Sequence, residues 1–207
     1  MALIKKPADW DPSQDQRRRA RAGPDWPQQI DSPDAAARRR AVQDLARQPE
    51  ASTVLLARLA CERDLAVRAV ICTGLIQCRD RIAVDGLLAC LRSEDAGLRS
   101  EAIEALKQLP QEVEPLLEGL LHDSDPDVRI FVVNILESLR HPQVEEWLIR
   151  VIEQDPHVNV CATAVDLLGE VGNEGAESAL RALKQRFANE PYIQFAADLA
   201  LKRIHRA

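Results

Sequence analysis

The chain repeats itself about every thirty residues. From Arg129, apolar residues follow three and seven positions later, at Val132 and Leu136. Arg99 has Ala102 and Leu106 at the same offsets, Arg68 has Ile71 and Leu75, and Arg38 has Ala41 and Leu45. These four anchors are spaced by 30, 31 and 30 residues. The frame continues without arginine at Cys161 (Ala164, Leu168) and Gln194 (Ala197, Leu201), after intervals of 32 and 33. Offsets of three and seven lie on one face of an α-helix. A fixed period of this length signals stacked helical units, none of which can bury its apolar face alone.

A second series lies between the anchored stretches. It reads "TVLLARLAC" from Thr53, "VDGLLACL" from Val84, "VEPLLEGLL" from Val113, "VEEWLIRVI" from Val144 and "AESALRALK" from Ala176. Each carries its own apolar stripe. The pattern predicts alternating helices of about a dozen residues, joined by turns holding Asp, Pro or Gly. Composition agrees: 46% of residues are apolar but only 3% aromatic, and the 207 residues include just 8 Gly. Leu and Ala favour helices, and scarce Gly argues against a turn-rich β fold.

The stretch "DSDPDVRIFVVNIL", Asp123 to Leu136, shows the local logic. Asp123 or Asp125 can accept from the helix's first N–H groups, and Pro126 suits the first turn. The acid recurs at Asp64 and Asp95, and the Asp-Pro pair at Asp155 and Pro156. Arg129 is expected to reach an Asp of a neighbouring repeat. Arg38, Arg68, Arg99 and Arg129 would then form a ladder with Asp64, Asp95, Asp125 and Asp155. Each partly exposed pair would contribute ~0.2–1 kcal/mol. Burial between repeats would contribute more, at ~1.5–3 kcal/mol per fully buried Val, Leu or Ile.

The motifs "DLAVRAVICTGL", "DAGLRSEAIEAL", "DPDVRIFVVNIL" and "DPHVNVCATAVDLLGEVG" resemble short bacterial HEAT repeats. The resemblance runs from about Asp31 to Ala207. Ankyrin and tetratricopeptide repeats fit its period and signature residues less well. It implies an all-α fold, a right-handed α-α superhelix (solenoid) of about 5.5 HEAT-like repeats. Residues 31–207 would form this array, and "EPYIQFAADLALKRIHRA" would supply its C-terminal capping helix. Phe187, Tyr192 and Phe195 are expected to close the core there.

Residues 1–30 read as a polar, Pro-containing arm, with a short helix from Ser13 to Ala22 under a Ser13/Gln16 capping box. Two readings stand. The arm is flexible, or a lid over the first helix's edge. Alternatively it docks on a partner through Trp10 and Trp26 and the cluster Arg17, Arg18, Arg19 and Arg21, residue types favoured at interface hot spots.

Catalytic signatures are missing. No Gly-rich phosphate loop and no Cys-x-x-Cys occur, and Cys72 and Cys78 stand six apart, an unsuitable zinc spacing. The five cysteines read as packing residues. Cys161 holds an arginine position and would be a reactive or ligand thiol only if it faced solvent. His122, His141, His157 and His205 fall in turns or at the end, and none precedes Glu. The His-Glu pairs of HEAT-like diiron hydroxylases are therefore absent. HEAT-like DNA glycosylases use a basic groove, whereas the net charge here is -6. No catalytic residue, metal or cofactor is assigned, and neither nucleic acid nor membrane is expected as a partner. No apolar run reaches about 18 residues, and the start lacks a secretory signal. The expectation is a reduced cytoplasmic protein, a monomer or weak dimer.

The resemblance implies that the anchored helices line a concave surface. Its solvent side should then carry offsets two and five: Val70, Thr73, Glu101, Glu104, Phe131, Asn134, Thr163 and Asp166, with Ile130 beside Phe131. Val70 and Phe131 are apolar where solvent is expected. Either a small helix rotation buries them, or they floor a shallow groove rimmed by acids that suits a basic or mixed protein segment. The function implied is a non-catalytic adaptor that binds another protein on this face. The resemblance also supplies an alternative. Bacterial short-repeat HEAT proteins include phycobilin lyase subunits, so the chain could be a helper subunit of a lyase or maturation system for a tetrapyrrole (bilin) or another cofactor.

Overall fold

The computed structural model describes residues 26–139 and 141–205. Regular structure among these residues is entirely helical. Contacts divide the chain into two compact units, residues 1–74 and 75–207. The arm positions Trp10, Arg17, Arg18, Arg19 and Arg21 lie outside the described residues.

The first unit contains α1 (Trp26–Gln29), α2 (Ala35–Leu45), α3 (Ala51–Leu59) and the start of α4 (Leu65–Cys78). Its core is Val42, Leu45, Leu55, Leu59, Val67 and Ile71, all 1% exposed or less. The anchored frame explains this choice. Leu45 and Ile71 stand seven and three places after Arg38 and Arg68. Trp26 is half-buried in α1.

The second unit continues through α5 (Arg81–Cys90) and α6 (Ala96–Lys107). There follow α7 (Pro110–Val113), a 3-10 turn (Glu114–Leu116) and α8 (Leu117–Leu120). Then come α9 (Pro126–Leu136), α10 (Val144–Gln154), α11 (Val158–Val171), α12 (Glu177–Arg186) and α13 (Pro191–Ile204). The anchored helices α6, α9, α11 and α13 neighbour one another in that order, with α10 against α11 and α12. Leu87, Leu106, Leu117, Val132, Leu136, Leu148, Ala164, Leu168 and Leu180 are sealed inside.

Two expectations are corrected. "VEPLLEGLL" is not one helix but three short pieces, because Pro115 lacks an N–H and obstructs a regular helix through this stretch. Phe187, Tyr192 and Phe195 do not close the core. Tyr192 and Phe195 are 54% and 65% exposed, and Phe187 is half-buried under Arg186. Smaller residues close that end: Ile193, Ala196, Ala197, Ala200, Leu201 and Ile204. Alanines let α13 approach α11 closely; a Cβ placed on Gly169 would stand 3.5 Å from Ala200.

Candidate partner-binding site and the turns that frame it

Each anchor arginine first holds its own turn. Arg38, Arg68, Arg99 and Arg129 donate to the carbonyls of Ser32, Glu62, Ser93 and Asp123, in every case six residues earlier, at 2.6–2.8 Å. The side chains at those positions, and at Asp155, accept in turn from the N–H two residues on. The recurring column Ser32, Glu62, Ser93, Asp123, Asp155 is thus a set of oxygen acceptors that tightens each turn. The column is visible in the sequence, but its mixture of Ser, Glu and Asp makes it less regular than the column of acids two places later.

Those later acids are helix caps. Asp64, Asp95 and Asp125 accept from the N–H groups of Val67, Gly97 and Leu98, and Asp127 respectively. This corrects the ladder for Asp64 and Asp125. Instead, Arg38 reaches Glu62 through Nε and Nη2 at 2.8 and 2.9 Å, and Arg129 reaches Asp155 at 2.6 and 3.0 Å. Both links are bidentate and join consecutive repeats. Glu62 also accepts from Arg58 and from the backbone of Arg63 and Asp64. Burial alone would raise its pKa; these donors outweigh burial and bring it down to about 2. The Arg129 guanidinium is pushed up by its bond to Asp155, against burial.

Cys161 occupies an anchor position but is fully buried. Its thiol donates to the Asp155 carbonyl at 3.3 Å, six residues back. Burial pushes the thiol up to about 11, with Arg186 pulling the other way. It is therefore packed and protonated, the opposite of a reactive thiol. The missing guanidinium arrives from elsewhere: Arg186, at the end of α12, donates to the carbonyls of Ile152, Glu153 and Asp155 and to Cys161 Sγ.

The anchored helices also present the expected site residues. In the first unit Val70 is half-buried and Thr73 exposed, its hydroxyl donating to the Ala69 carbonyl. In the second unit Glu101 is half-buried and Glu104 exposed. Ile130 and Phe131 are half-buried, and the Arg99 guanidinium sits 6.0 Å from the Phe131 ring centre. Lys107 lies between Glu104 and Glu137, at 3.4 and 3.1 Å. Asn134, Thr163 and Asp166 come together in a groove of about 190 Å³ between α9 and α11, with Val133 and Leu167 and two carboxylates that sequence reasoning missed, Glu137 and Glu170. Glu137 and Glu170 lie about one helical turn beyond offset five, so extending the offset series would have found them.

A second pocket, about 260 Å³, opens beside the broken helix. Leu121, Trp147, Val151 and Pro156 line it together with the buried Arg129–Asp155 pair, and Arg150 there pairs with Glu118 at 3.1 Å. Among the described residues, no group of three or more His, Cys, Asp or Glu could hold a metal ion. None of the described helices is long and apolar enough to cross a membrane.

The family model for HEAT repeats matches residues 24–107 and 113–202. The chain belongs to the HEAT-repeat family. Its relatives include the bilin biosynthesis protein PecE of Mastigocladus laminosus, 31% identical over 138 residues, which is 66% of this chain and 51% of PecE. The chain thus spans about half the length of the curated relative it matches. Among solved structures, one described by microtubule plus-end tracking by XMAP215, CLIP-170 and EB1 superposes with a TM-score of 0.52 at 12% identity, covering 87% of this chain and 90% of that one. That likeness concerns the fold alone. The complex of CpcE and CpcF of phycocyanin lyase from Nostoc sp. PCC7120 matches more loosely, with a TM-score of 0.37 at 17% identity over 98% of this HEAT chain and 100% of that one.

Proposed function

We propose that this HEAT-repeat protein is a protein-binding helper subunit of a system that attaches or matures a bilin-type chromophore. The observation that carries the reading is the 31% identity to a bilin biosynthesis protein over two thirds of the chain. What supports the protein-binding half is that Asn134, Thr163 and Asp166 line one groove between α9 and α11 together with the carboxylates of Glu137 and Glu170, while Ile130 and Phe131 are half-buried on α9. On this reading the partner polypeptide rests on that face, and Glu101 and Glu104 on α6 extend it within the second unit; Val70 and Thr73 are the corresponding positions of the first unit. The arm residues Trp10, Arg17, Arg18, Arg19 and Trp26 add a second point of attachment.

Deletion of the gene in its host should remove or diminish a covalently coloured polypeptide, and re-expression should restore it. Unchanged coloured polypeptides would defeat the bilin reading. The adaptor reading is tested separately by affinity capture from the host. A protein retained by wild type and lost with Phe131→Asp supports it, and capture indifferent to the substitution counts against this face.

A further inference from the structure

We infer that the α9–α11 groove and the outer face of α13 form one docking surface for a cationic, apolar segment of a partner protein, with an arginine or lysine side chain in the groove and apolar neighbours on Tyr192, Phe195 and Leu199. The inference rests on the chain's being a partner-binding subunit, but not on bilin.

Tyr192, Phe195 and Leu199 are 54%, 65% and 38% exposed and stand at i, i+3 and i+7, so they share one helix face. The opposite face of α13 is already the core contact. α13 packs on α11 and α12, and its core-facing residues do not include Tyr192, Phe195 or Leu199, so this apolar stripe is left uncovered among the described residues. The groove one helix away says what the other neighbour carries. Its floor, Val133 and Leu167, is apolar; its polar groups include three carboxylates, Glu137, Asp166 and Glu170. Glu137 shares Lys107 with Glu104. Asp166 accepts from the Tyr192 hydroxyl at 2.6 Å, which ties the aromatic stripe to the groove. An apolar floor under carboxylates fits a long aliphatic stem ending in a cation. The Tyr192 ring offers that cation a π face. Nucleic acid and anionic lipid surfaces would be repelled by the same carboxylates.

The test uses the full-length chain and a fluorescein-labelled synthetic peptide with Arg and Leu on one helical face. Control peptides carry Glu for every Arg, or Ser for every Leu. Fluorescence anisotropy should report binding of the Arg–Leu peptide that weakens with added salt. Glu137→Gln with Glu170→Gln should weaken it ~10-fold, equivalent to about 1.4 kcal/mol. Phe195→Ser should weaken it comparably, and Asp85→Asn on α5 should leave it unchanged. All four substitutions lie at exposed positions, and thermal melts should match wild type. No binding, equal binding of the Glu peptide, or indifference to the groove and α13 substitutions would overturn the inference. So would concentration-dependent self-association lost with Phe195→Ser, which would make a second copy the occupant. Bilin attachment in the host can fail or succeed independently of this result.

Discussion

The turn held by Arg129 and the turn at Cys161 solve the same problem differently. In the first, one arginine from the repeat's own helix secures the carbonyl six residues back and also grips Asp155 of the next repeat. In the second, a buried thiol sits where that arginine would be, and Arg186 reaches in from the following helix to the same class of carbonyl. What the fold requires is a guanidinium on the turn. Which helix supplies it is secondary. The electrostatics differ, however: Arg129 neutralises a carboxylate 8% exposed, whereas Arg186 bonds chiefly to neutral carbonyls at the end of α10.

The comparison is broken most directly at Arg129. Arg129→Ala leaves Asp155 buried without its cation and should cost ~3–5 kcal/mol, measured by denaturant unfolding. A cost no larger than that of removing Arg186 would abolish the distinction. The next largest effect concerns Glu62, the counterpart of Asp155 in the first unit. Its folded pKa, about 2, lies below its ordinary value, so its contribution is full above about pH 4.5 and is lost as pH falls toward 2. That contribution should be ~2–3 kcal/mol. Glu62→Gln should flatten the stability–pH curve in this window, and an unchanged slope would mean other groups dominate.

Arg186→Ala should cost ~1–2 kcal/mol, because its bonds are partly exposed and lie at a helix C-terminus. Adding Cys161→Arg should recover part of this loss by restoring an anchor from the local helix. Failure to recover any would show that the site admits only the imported guanidinium. The smallest effect is kinetic: a thiol reagent should modify exposed Cys61 well before Cys161, at a rate for Cys161 limited by opening of the fold.

The repeat was legible because its apolar spacing reflects burial. Ala41, Leu45, Ile71, Leu75, Ala102, Leu106, Val132 and Leu136 all proved to be core. Polar partnerships were less legible because they depend on direction as well as period. Asp64 and Asp125 lie near the arginines in sequence, yet their carboxylates turn back onto helix N–H groups, while Glu62 and Asp155 meet the incoming guanidiniums. Pro115 marked the break in the Val113 stretch, but the apolar periodicity around it masked the signal. The exposure of Tyr192 and Phe195 could not be read from residue type, because bulk usually implies burial. Here the small alanines of α13 already fill the contact with α11.

Arg186 also limits how such an array can change in length. A recombination event that excised the last helical pair would take away the group that completes the preceding turn, exposing a hydrogen-bonding deficit one unit upstream. The four arginine-anchored units carry their own closing group and could in principle be duplicated or lost by ancestry. The one at Cys161 is bound to its successor, and any shortening there would leave its turn carbonyls short of a donor unless an arginine reappeared at that position.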